Sequence, residues 1–112
     1  MRKQSGFLIN AGPTMMILAF LKGNPRPAFD IAQEIKRLSN GKLELQRSTL
    51  YPLLNKLQKE GLITASWLLP TDDIARRTYT LTSKGEAEAD SQVEAWKEYA
   101  LTVGQVLRGI GQ

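Results

Sequence analysis

A mainly helical α+β domain, with one small β-hairpin, is what this chain of 112 residues predicts. Three observations carry that expectation. Apolar residues recur at steps of three and four in several separate stretches, the period shifts to two between Ile63 and Leu81, and a heptad-like seam runs through the last part of the chain. Aliphatic residues are plentiful and aromatics few, which suits helix packing better than a large sheet. The length matches a single domain.

The function classes are narrowed by what the chain lacks. It has no cysteine, which removes disulfides, thiolate nucleophiles and cysteine zinc sites, and no histidine, which removes the commonest general base and transition-metal ligand. No constellation of the remaining Lys, Asp, Glu, Tyr and Ser side chains suggests catalysis, so no enzyme activity, metal or cofactor is expected. The net charge is +4 and unevenly placed: residues 1–60 hold ten Lys/Arg against four Asp/Glu, whereas residues 61–112 hold five against seven. The first half is therefore the half that would face a polyanion.

Taken in order, MRKQSGFLINAGPTMMILAFLK has the basic start and apolar stretch of a signal peptide. Its continuous apolar run, Met15 to Leu21, ends at Lys22, Gly23 and nearby prolines without a small-residue cleavage pattern, and is far too short to cross a bilayer core of about 30 Å. It is expected to be a buried first helix, opened by Pro13 or Thr14 and closed by Gly23, in a cytoplasmic protein without membrane association. Gly23 to Pro27 reads as a turn. A second helix follows over Ala28 to Leu38, with Ile31, Ala32, Ile35 and Leu38 inward and Asp30, Gln33, Glu34, Lys36 and Arg37 outward; Ser39, Asn40 and Gly41 stop it. Lys42 to Gln46 forms a short extended connector.

The stretch Arg47 to Ile63, RSTLYPLLNKLQKEGLI, is a third helix with Leu50, Leu53, Leu54, Leu57 and Leu62 on its inner side. Ser48 or a residue just before it is a candidate cap, Gly61 ends the helix, and Pro52 either sits in its first turns or kinks it. The outward side carries Ser48, Tyr51, Asn55, Lys56 and Lys59, with Arg47 just ahead, a mixture able to bond base edges and neutralise phosphates. Any soluble helix exposes lysines, so this face gains meaning only from the elements around it. After Gly61, Ile63 to Leu69 and Ile74 to Leu81 alternate as two strands of a hairpin, turned at Pro70 to Asp73. Arg76 and Arg77 lie near the start of the returning strand, where they either contact DNA or are simply solvated or paired with Asp72 and Asp73.

Helix, helix, exposed helix, hairpin is the order of a winged helix-turn-helix, whose third helix enters the major groove. Residues 1–82 would form this DNA-binding unit and residues 83–112 a C-terminal helix. On that helix Ala89, Val93, Trp96, Ala100, Val103, Leu107 and Ile110 alternate steps of four and three, a seam that either packs on its own domain or takes a partner helix; the first three helices already have stripes to bury against one another, so a homodimer is expected. A twofold pair would read an inverted repeat in double-stranded DNA.

The blocks TLYPLL at Thr49 to Leu54, NKLQKEGLI at Asn55 to Ile63, RRTYTLT at Arg76 to Thr82, Lys84-Gly85 and MMILAFLK at Met15 to Lys22 together resemble the PadR-like transcriptional regulators. The resemblance spans most of the chain and implies a short form of that family. It implies DNA contact through Arg47, Ser48, Thr49, Tyr51, Asn55, Lys56, Lys59, Arg76 and Arg77. It further implies that Met15 and Leu18 on the first helix join the dimer interface, and that a planar aromatic effector stacks on Trp96. The departures are Ala28-Phe29 where relatives often have Gly-Tyr, Ser48 where many have glycine, and an acidic tip, Thr71-Asp72-Asp73, where a basic glycine-rich one is usual. A repressor is the function this implies; the alternative is a winged-helix module that binds another protein and touches DNA weakly or not at all.

Overall fold

The computed structural model describes residues 2–67 and 77–111, with side chains in the first helix from residue 12 onward. Among the described residues there are four helices, α1 (Arg2–Leu21), α2 (Ala28–Leu38), α3 (Arg47–Lys59) and α4 (Ser83–Gly111), and three short strands, β1 (Arg26–Pro27), β2 (Ile63–Ser66) and β3 (Thr78–Leu81). The strands form one antiparallel sheet in the order β1-β3-β2. This is the α+β winged helix-turn-helix expected from the sequence.

The core is built from the predicted stripes. Ile17, Leu18 and Leu21 of α1, Ile31 and Ile35 of α2, and Leu50, Leu54 and Leu57 of α3 meet Ile63, Tyr79 and Leu81 of the sheet, with Ala89 of α4 closing one side. Strand alternation sets which residues enter: in β3, Tyr79 and Leu81 are buried while Thr78 and Thr80 are not. The helices stop where the backbone turns left-handed, at Gly23 (φ 63°), at Asn40 and Gly41 (φ 56° and 81°) and at Gly61 (φ 76°).

Several expectations are corrected. Helix α1 does not open at Pro13 but begins at Arg2 and carries Pro13 inside it. Upstream, Leu8 and Ala11 continue the spacing of Met15 and Leu18, so the periodic pattern extends past the proline, whose local cost a long helix can absorb. Arg26–Pro27 is more than a turn: it pairs with β3, Arg26 opposite Tyr79 and Pro27 opposite Thr78. An edge strand tolerates proline because one side of its backbone makes no ladder bonds. Of the cap candidates, Ser48 or a residue just before it, the second holds in position: Gln46 is the cap residue, extended at φ −77° and ψ 159°, but its side chain makes no hydrogen bond to the helix. Leu38, expected on the inner stripe of α2, is two-thirds exposed at the last residue of that helix. Strand β2 ends at Ser66, so Trp67 lies beyond it. Leu69 and the turn Pro70 to Asp73 lie outside the described residues.

Thr82 ties α3, the sheet and α4 together. Its hydroxyl accepts a hydrogen bond from the Gly85 amide (3.0 Å), capping α4, and donates to the Gly61 carbonyl (2.7 Å) at the end of α3. Lys84 donates to the Glu60 carbonyl (3.0 Å), placing a cation at the C-terminal end of α3. A Lys22–Asp90 ion pair joins the end of α1 to α4 on the surface.

Beyond Ala89, α4 leaves the core. The molecule measures 59 × 28 × 25 Å with a radius of gyration of 15.7 Å, against about 13 Å for a compact domain of this length. Trp96, Tyr99, Leu101, Val106, Leu107 and Ile110 all stand exposed along this arm.

Candidate nucleic-acid interface

The outward stripe of α3 follows from helix geometry. At 100° per residue, buried Leu50, Leu54 and Leu57 mark one side, and Ser48, Pro52, Asn55 and Lys59 fall opposite, all exposed. Arg47 is exposed in the first turn, where the helix has no acidic residue. Pro52, sixth in the helix, offers no amide to the carbonyl of Ser48, four residues earlier on the same outward stripe.

The remaining expected contacts flank this stripe on opposite edges. Tyr51 lies toward the hairpin, half-buried, its ring packed against the core. Thr49 is half-buried on the other edge, and Lys56 there lines a groove with Thr14, Glu60, Lys84, Glu88 and Gln92, between α3, α1 and α4. Ser48, Asn55 and Lys59 therefore form the centre of the surface, and Thr49, Tyr51 and Lys56 its margins.

At the hairpin margin, Arg77 immediately precedes β3. Its carbonyl accepts the Ala28 amide (3.2 Å), and its guanidinium carbon lies 4.1 Å from the centre of the Trp67 ring. Burial pushes the Tyr79 hydroxyl's pKa up, while the neighbouring Arg77 charge and hydrogen bond oppose the shift and the nearby Tyr51 adds to it. Tyr51 of the recognition helix, Arg77 and Tyr79 of the wing are thus brought together in one cluster. Arg76 lies outside the described residues, as does the wing tip Thr71-Asp72-Asp73.

Sequence reasoning missed Trp67 as a partner of Arg77. Pairing of Ser66 with Thr78 makes Trp67 and Arg77 the next opposed pair, but that register depends on the turn between the strands, which composition alone does not set.

On α4, the expected dimer seam divides. Ala89, 1% exposed, is part of the chain's own core and cannot present surface to a partner; the same holds for Leu18, 0% exposed. Both are covered because α1 and the start of α4 pack on each other. Met15, Val93 and Val103 are half-buried, and Trp96, Ala100, Leu107 and Ile110 are exposed. Trp96 lies 6.2 Å, ring centre to ring centre, from Tyr99, with the planes tilted by 40°. Among the described residues no cluster of acidic side chains could hold a metal ion, and no helix is long and apolar enough to cross a membrane.

Residues 17–91 match the model of the transcriptional regulator PadR-like family, two-thirds of the chain and the whole helix-turn-helix with its wing. The chain belongs to the PadR-like family. A PadR-like transcription factor from Bacteroides fragilis superposes with a TM-score of 0.76 at 30% identity, covering 93% of this chain and 98% of that one. PadR of Bacillus subtilis, whose crystal structure contains operator DNA, superposes with a TM-score of 0.62 at 28% identity, over 71% of this chain and 45% of that longer one. An uncharacterised protein of Lysinibacillus sphaericus is 27% identical over 95 residues, 85% of this chain and 87% of its own length. Members of this family are transcriptional regulators.

Proposed function

We propose that this chain is a homodimeric, sequence-specific repressor that inserts α3 into the major groove of an inverted-repeat operator. The observation that carries the proposal is the outward stripe of Ser48, Asn55 and Lys59, exposed opposite the buried leucines of α3. The operator DNA held by the Bacillus subtilis relative supports the same use of this fold. Residues 1–82 form the reading head. Residues 83–112 form the dimerisation helix, with Val93, Trp96, Ala100, Val103, Leu107 and Ile110 facing a second copy and Met15 beside them. The site of action is the cytoplasm.

Asn55 bonds a base edge, and Lys59, Arg47 and Lys56 serve phosphates. Selection from random DNA pools identifies the operator, and two variants then separate the roles. Asn55→Ala is expected to cost operator affinity about tenfold or more while leaving non-specific binding almost unchanged. Lys59→Ala is expected to weaken all DNA alike and to flatten the log–log salt slope by about 0.9. The Tyr51 hydroxyl is assigned a further contact with DNA, and Tyr51→Phe, which removes the hydroxyl and keeps the ring that packs on the core, is expected to weaken operator binding in the same assay. Salt-independent or undetectable DNA binding by the wild-type protein would instead favour a module for protein partners.

Release from the operator is assigned to a planar aromatic compound stacked on Trp96, which is 45% exposed on the seam beside Tyr99. In a Trp67→Phe background, such a compound is expected to quench the remaining tryptophan emission saturably and to lower operator affinity in parallel. Unquenched emission across a panel of planar compounds would count against this effector site.

A further inference from the structure

We propose that Trp67 is a positioning residue for DNA binding: its indole face holds the Arg77 guanidinium in place as a fixed phosphate contact at the wing's base. The proposal rests on the DNA-binding role proposed above and adds a residue whose side chain need not touch DNA itself.

Arginine carries many rotamers, and ordering it on a phosphate costs conformational entropy unless the free protein already holds it. Here the residue is held at both ends. Its backbone carbonyl accepts the Ala28 amide at the start of α2, and its guanidinium carbon sits over the Trp67 ring, 4.1 Å from the ring centre. Its Nε is buried and makes no hydrogen bond among the described residues. The guanidinium also forms no ion pair with a described carboxylate. Its charge is therefore not neutralised within the described part of the chain. A guanidinium lying over an aromatic ring keeps its N–H groups for other partners; one of those of Arg77 is engaged by the Tyr79 hydroxyl, and the rest of the terminal N–H groups match a phosphate.

The position fits the task. Tyr51, at the margin of the recognition helix, is close enough to influence the Tyr79 hydroxyl beside Arg77. The clasped cation therefore stands where the edge of α3 meets the wing. Trp67 itself is 43% exposed, more than a core residue would be, so that share of its surface serves neither core packing nor Arg77.

The test compares Trp67→Ala, Trp67→Phe, Arg77→Ala and the double alanine variant by fluorescence anisotropy on labelled operator over a range of salt, with thermal melting as a check of folding. Trp67→Ala and Arg77→Ala are each expected to weaken binding roughly five- to tenfold and to flatten the salt slope by about 0.9, one phosphate contact. The double variant is expected to be no weaker than Arg77→Ala alone, and Trp67→Phe, which keeps an aromatic face, to bind nearly as the wild type does. A Trp67→Ala protein with the wild-type salt slope, or losses that add in the double variant, would overturn the positioning role while leaving the repressor reading intact. Wild-type protein without salt-dependent operator binding would remove both.

Discussion

Gly85→Ala is expected to cost about 3 kcal/mol of stability, at the upper end for overpacking, and to lower the melting temperature by roughly 10 °C or more. The glycine is buried in the first turn of α4, where that helix crosses the end of α3. A Cβ built there would lie 1.9 Å from the Leu62 carbonyl oxygen and 3.0 Å from the Leu81 side chain. The first obstacle is backbone, which cannot rotate out of the way as a side-chain tip can. Relief requires lifting α4 from Leu62, and that breaks the Thr82 cap and the Lys84 bond to Glu60. Helix propensity runs the other way, since alanine is the better helix former by about 1 kcal/mol. Gly109→Ala supplies the internal control: it lies in the same helix, has nothing within 4 Å of the added carbon, and is expected to be neutral or slightly stabilising. Differential scanning calorimetry of the two variants checks the prediction. Equal melting temperatures would mean that α4 does not sit against Leu62 in solution.

Leu107→Glu combined with Ile110→Glu is expected to convert the protein from twice the 12.5 kDa chain mass to a single chain, without loss of the fold. The two side chains are 62% and 76% exposed, far along the arm from the core, so charging them removes nothing from the packing of residues 12–89. What they would lose is the partner. Trp96, Tyr99, Leu101 and Val106 share the same bare arm, and an apolar surface of that extent on a folded protein marks an interaction site. Two half-sites joined in one molecule gain on the order of 100-fold or more from effective concentration. The charged variant should therefore lose at least that factor on an inverted repeat while binding a single half-site as weakly as before. Light scattering coupled to size exclusion reads the mass, and anisotropy on full and half operators reads the affinity. Wild-type protein of single-chain mass at micromolar concentration would refute the dimer.

The helices and their order were legible because period is a local property. The leucines of α3 and the isoleucines of α2 repeat often enough to name their buried sides, and left-handed glycines mark where the helices end. The outward set on α3 followed by subtraction. Other features were hidden because they depend on partners distant in sequence. Whether Leu38 enters the core depends on what other segments bring to the end of α2, and whether Ala89 faces its own chain or another depends on how far α1 reaches along α4. Met15 and Leu18 look alike on a helical repeat, yet only Leu18 is sealed off. The full length of α1 is hidden because Pro13 is a local signal for the start of a helix, and such a signal yields when apolar spacing continues on both sides.

Sequence by itself determined the class of the protein: periodicity, glycine stops and a basic first half define a winged helix-turn-helix with a polar recognition face, since each is encoded by residues within a few positions of one another. Tertiary structure decided which of those residues are available for work. It withdrew Leu18 and Ala89 into the core, made Arg26–Pro27 a third strand, left Gly85 no room for a side chain, and set Trp67 under Arg77. Those outcomes depend on distances between segments far apart in the chain, which arise only when the whole fold closes.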